Sequence, residues 1–105
     1  MGPMHFLLFY EKAPDHAARQ GPLQAPHLAH VQAAVRRGEL ALAGSLLDPN
    51  DGAAVLLFKA DGPAVAEAFA KGDPYVTQGI VNKWWVRKWD TVVGKDAANP
   101  LPELE

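Results

Sequence analysis

Residues 39–60 read ELALAGSLLDPNDGAAVLLFKA, and their pattern decides the fold. Glu39 to Leu47 and Ala53 to Ala60 are short apolar runs, and Asp48-Pro49-Asn50-Asp51-Gly52 between them is a strong turn signal. Two such runs around a turn make an antiparallel hairpin. Neither run alternates apolar with polar residues. In the first, Leu40, Leu42 and Leu46 point one way and Ala41, Ala43 and Leu47 the other; in the second, Leu56 and Phe58 oppose Val55 and Leu57. A sheet with one wet face shows polar residues at alternate positions. Here both faces are apolar, so both need cover.

The flanking sequence supplies cover for one of them. Upstream, Leu23 to Arg37 carries Leu28, Val31 and Val35 at three- and four-residue spacing, and Gly38 stands where a helix ends. Before it, Glu11 to Pro22 reads as a loop, and Met4 to Tyr10 (MHFLLFY) reads as a strand whose Phe6, Leu8 and Tyr10 oppose Leu7 and Phe9. Downstream, Asp61-Gly62-Pro63 opens a second helix that runs to about Lys71. Asp73-Pro74-Tyr75 breaks the chain, Val76 to Gly79 forms a short turn, and Ile80 to Trp89 (IVNKWWVRKW) reads as a last strand. In that strand Trp85 and Trp89 share one face and Trp84 takes the other; core and dimer packing is their plainer role, an aromatic wall for a ring-shaped ligand the sharper one.

The order is β-α-β-β-α-β, the split arrangement of a ferredoxin-like α+β domain. Right-handed crossovers put both helices on one face of a four-stranded antiparallel sheet. Residues 1–94 make this domain, and residues 95–105, with Pro100 and Pro102, an irregular tail. Packing a second copy sheet to sheet, as in a dimeric α/β barrel, buries the remaining face. The competing cover is the tail, folded back through Leu101 and Leu104.

Composition narrows the function. At 105 residues, 49% of them hydrophobic, the chain has one core and no room for a second domain. A net charge of -2 without basic clustering argues against a nucleic-acid partner. The absence of cysteine removes disulfides, thiolate catalysis and cysteine-bound metals, and fits a cytoplasmic location. The apolar run at Phe6 to Tyr10 lacks the basic leader and cleavage site of a signal peptide, and no stretch nears the roughly 20 apolar residues that span a bilayer, so no membrane partner is expected. There is no His-Glu-x-x-His pattern, phosphate-cradling glycine loop or dinucleotide fingerprint, and hence no expected metal or cofactor.

Four histidines remain. On a helical wheel His27 lies about 50° from the centre of the Leu28, Val31 and Val35 stripe, whereas His30 lies about 110° away, toward water. Pro26 puts His27 in the first helical turn, and a neutral imidazole there can act as a general base. The residues alone favour a structural histidine bonded to a nearby carbonyl. They likewise favour a turn or capping role for Asp73. Ser45 lies on a strand without the G-x-S-x-G elbow, so no serine triad is indicated.

Taken together, Pro26-His27-Leu28, the GELALAG run at 38–44, Ser45, and Asp73-Pro74-Tyr75 followed by Gly79 resemble the YciI-like (YCII-related) family over roughly Met4 to Val93. The resemblance implies a His-Asp pair, His27 and Asp73, doing general acid/base chemistry in a cleft of a homodimer. It implies cleft-lining roles for Ser45 and Tyr75 and an anion contact for Arg19. The family often has proline where this chain has Ser45. Its implied activity is that of a lyase or hydrolase on a small molecule, dehydrohalogenase-like. The alternatives are a non-catalytic ligand-binding dimer, or a muconolactone isomerase-like or monooxygenase-like α/β-barrel enzyme.

Overall fold

A computed structural model describes residues 3–102. Strand β1 (Met4–Lys12) is followed by a one-turn helix α1 (His16–Arg19), a 3-10 turn (Gly21–Leu23) and the long helix α2 (Gln24–Arg36). Strands β2 (Leu40–Ser45) and β3 (Ala54–Ala60) form the hairpin. Helix α3 (Ala64–Gly72), the one-turn helix α4 (Pro74–Thr77) and strand β4 (Val81–Trp89) complete the chain. The sheet order is β2-β3-β1-β4, and every neighbouring pair is antiparallel. This is the ferredoxin-like α+β arrangement read from the sequence.

The core lies between the sheet and the helices. Phe6, Leu8 and Tyr10 of β1, Leu56 and Phe58 of β3, and Leu40 of β2 pack with Ala34 of α2 and Ala66, Phe69 and Ala70 of α3. Gly38 ends α2 with φ at +77°, and its N–H donates to the Val35 carbonyl at 2.9 Å. A left-handed backbone at this place is the usual reason for glycine after a helix.

Four expectations need correction. The segment after Tyr10 is not a plain loop, since β1 continues to Lys12 and α1 follows. The inward stripe of α2 is not Leu28, Val31 and Val35: Leu28 and Val35 are 46% and 53% exposed, while Ala34 is fully buried and His27, His30 and Val31 are half-buried. His30 does not face water; its Nε2 donates to the Phe69 carbonyl at 2.9 Å. Finally, Leu40 and Leu42 do not share a face. A bulge puts Leu40 opposite Phe58 and Leu42 opposite Leu57. One extra residue reverses the alternation, so Leu42 lands on the outer face, 71% exposed.

The centre of that outer face is apolar, with Arg87, Lys83, Glu11, His5 and Lys59 around it. Leu7, Phe9, Val55, Leu57 and Trp85 occupy it in register, and Phe9 stacks on Trp85 with ring centroids 5.2 Å apart. The tail does not cover it through Leu101, which is 61% exposed; Leu104 lies outside the described residues. Residues 90–98 instead rim a recess of about 880 Å³ with His5, Leu42, Lys59 and Trp89. Among the described residues, no helix is long and apolar enough to cross a membrane.

The core face of β1 and the outward face of α2 can be told apart by stability. Leu8→Ala, at a fully buried position, costs about 2–5 kcal/mol, whereas Leu28→Ala costs about 1 kcal/mol or less. Urea unfolding of both variants measures this, and equal losses would contradict the inward face described here.

Candidate active site

Asp73 is fully buried, and local sequence explains how its carboxylate comes to face inward. The residue before a proline is driven out of helical conformation by the proline ring. Asp73, ahead of Pro74, has φ -74° and ψ 123°, so α3 stops there and α4 starts one residue later. Its Oδ1 caps α4 by accepting from the Tyr75 N–H at 3.0 Å.

Two further donors arrive from other elements. The Tyr10 hydroxyl, from the end of the buried stripe of β1, donates to Oδ2 at 2.8 Å. His27 Nδ1, from the first turn of α2, lies 2.8 Å from Oδ1. Since that oxygen is an acceptor, Nδ1 carries a proton, and in the neutral ring Nε2 is the nitrogen with the lone pair. The His27 ring lies flat on Tyr75, with centroids 3.8 Å apart and planes 4° from parallel. Pro26 fits beside it because the N–H it lacks would have no helical partner in the first turn.

The electrostatics follow from burial. Tyr10 is held far above the usual phenol range, first by burial and then by the Asp73 charge. It therefore stays a donor throughout the physiological range. Tyr75 is raised for the same two reasons. Among the described residues the one buried side-chain polar atom without a partner is Gln20 Oε1. His27 Nε2 and the Tyr75 hydroxyl make no hydrogen bond among the described residues either, and neither is a sealed atom, so both keep some contact with solvent. The pair thus has a sealed half, Asp73 with Tyr10, and an open half, the free edge of His27.

Of the residues singled out in the sequence, the fold brings His27, Asp73 and Tyr75 into one contact cluster. Arg19 sits at the far end of α4, where Nη2 donates to the Gln78 carbonyl at 2.8 Å and Nη1 meets Asp15 at 3.3 Å. Ser45 is exposed at the end of the edge strand, opposite Ala54. Sequence reading missed Tyr10, counted only as an apolar strand residue, and Lys12, whose ammonium lies 5.5 Å from the Tyr75 ring centroid. A signal for Tyr10 existed, because a tyrosine closing a buried stripe has a hydroxyl that must find a partner. No three His, Asp or Glu side chains converge as metal ligands among the described residues.

Comparison with known proteins bears on this arrangement. The family model described as YCII-related domain matches residues 4–90. Among solved structures, the chain is similar to 5-chloro-2-hydroxyhydroquinone dehydrochlorinase from Burkholderia phenoliruptrix AC1100, determined in complex with 2,5-dihydroxybenzoquinone. The TM-score is 0.69 at 19% identity, covering 84% of this chain and 95% of that one. No curated protein matches in sequence.

Tyr10→Phe removes one donor from a buried carboxylate and nothing else. It should lower stability by about 1–3 kcal/mol, read as a reduced urea midpoint. An unchanged midpoint would mean that Oδ2 is satisfied some other way.

Proposed function

We propose that this chain, which belongs to the YCII-related domain family, is an enzyme that moves a proton on a small ring-shaped molecule, with His27 as the base or acid and Asp73 as its positioning partner. The observation that carries the reading is the 2.8 Å contact between His27 Nδ1 and Asp73 Oδ1, combined with an Nε2 that reaches solvent. A carboxylate on one imidazole nitrogen fixes the tautomer and stabilises the imidazolium formed when the other takes up a proton.

The chemistry is best framed as elimination. Nε2 takes a proton from the substrate, the electron pair left behind moves into the ring system, and the leaving group departs with its own bonding pair. Net loss of a hydrogen halide is the dehydrohalogenase form of this step. The structural neighbour is named for loss of chloride from a hydroxylated ring, which makes such rings the first substrates to try. Tyr10 stays protonated and holds Oδ2, which leaves Oδ1 to orient His27.

We also read the apolar outer face as the contact with a second copy. Leu7, Phe9, Leu57 and Trp85 make a patch too apolar to remain in water at no cost. The reading as an enzyme does not depend on this pairing, since Asp73, His27, Tyr10 and Tyr75 all come from one chain.

The test is halide release from a panel of chlorinated hydroxyquinols and phenols. His27→Ala should reduce kcat roughly 100- to 10,000-fold without changing the circular dichroism. Full turnover by His27→Ala, or no turnover of any member at any pH by the intact chain, defeats the reading. For the pairing, sedimentation should give a dimer that Trp85→Glu splits; a monomeric wild-type chain disproves it.

A further inference from the structure

Lys12 stands out once the hydrogen bonds around Asp73 are counted. Its ammonium is close to the buried pair, yet it makes no hydrogen bond or ion pair among the described residues. The Asp73 charge is already spent on three other donors: the Tyr10 hydroxyl, the Tyr75 N–H and His27 Nδ1. Burial pushes Lys12 below its ordinary value, and the Asp73 charge only partly opposes this. A half-buried ammonium without a partner is costly. A fold that keeps one over the Tyr75 ring, on which the His27 imidazole is stacked, has a place for an incoming negative charge.

The side chain is also held. Lys12 lies past the register shift at the end of β1, opposite the buried Val81, and its ammonium reaches the Tyr75 ring on the helix side of the sheet. Its stem packs against the 50–53 turn, where a Cβ on Gly52 would fall 3.2 Å from Lys12 Cβ and 2.7 Å from His16 Cε1. Only a glycine lets the turn approach this closely. Arg19, the cation that the sequence offered for an anion, is occupied by the Gln78 carbonyl and Asp15.

We infer that Lys12 is the anion-binding residue of the site, and that the substrate is a planar molecule presenting an anionic oxygen to Lys12 while its proton-bearing group meets His27 Nε2. The Tyr75 ring lies against His27 and within cation–π range of Lys12, so it links the two contacts. Its hydroxyl stays protonated and serves as a second donor to the same anion. Phenolates, enolates and aryl carboxylates fit this description; neutral aromatic rings lack the charge. The inference rests on reading the cluster as a substrate site, but its test requires no turnover.

The probe is 4-nitrophenol, whose phenolate is coloured, with 4-nitroanisole as the neutral match. Bound to the wild-type chain, the dye should ionise at lower pH than in free solution, because an ammonium beside the oxygen favours the anion. Lys12→Gln should abolish that shift and weaken phenolate binding roughly ten-fold or more. Lys12→Arg should keep both, and 4-nitroanisole should bind all three alike. Lys12→Met, of similar length and uncharged, repeats the test if the glutamine variant unfolds. An unaltered shift and affinity in both uncharged variants, or a wild-type chain that binds neither dye, overturns the inference. His27→Ala should still shift the dye. A chain that ionises the dye through Lys12 and turns nothing over keeps this inference and loses the catalytic one.

Discussion

The structure depends on where the Asp73 carboxylate goes. A charge taken fully out of water is tolerated only when its oxygens are matched by donors. Here those donors come from β1, α2 and the first turn of α4. Three elements distant in sequence are therefore held to one point by one side chain. The apolar core holds α2 by one fully buried side chain, Ala34, so the polar contacts of His27 and His30 matter to its placement. The carboxylate fixes the helix through His27, and the same contact orients the imidazole. Stability and the proposed chemistry share the residue, so a change at Asp73 bears on both.

Much of this was legible in the sequence, and the reasons differ from element to element. The hairpin was readable because 48–52 carries turn residues between two apolar runs, and the element order followed. The inner and outer residues of β1 were readable because a strand alternates with period two and β1 is regular as far as Glu11. The face of α2 was not readable by apolarity. Its inward positions hold alanine and two histidines, and its larger aliphatics, Leu28 and Val35, point out. A histidine with a buried partner counts as interior, so a hydropathy wheel turns the stripe toward Leu28 and Val35 and away from Ala34 and His30. The bulge in β2 was invisible for a related reason: it changes register without a glycine or proline to mark it.

The candidate site divides along the same line. Family resemblance pointed to His27 and Asp73, and geometry brings them within 2.8 Å. Local pattern could not do so, because 46 residues separate them and only tertiary packing closes that gap. Tyr10 was hidden by its setting in a strand, where a tyrosine passes for packing, and Lys12 by falling in a segment that reads as a loop. The likeness to a dehydrochlorinase at 19% identity supports the fold, which hosts many chemistries. The weight of any functional statement falls on the side chains themselves.

The irregularity in β2 has a bearing beyond its own strand. β2 and β4 are the two rims of the sheet, each with backbone groups free to recruit another strand. In β2 the shift between Leu40 and Leu42 breaks the even spacing that an incoming strand would need. Along β4, Lys83, Arg87 and Lys88 set like charges against any identical neighbour. Runaway edge-to-edge stacking, the hazard of a small protein this rich in β-forming residues, is thereby blocked at one rim by geometry and at the other by repulsion.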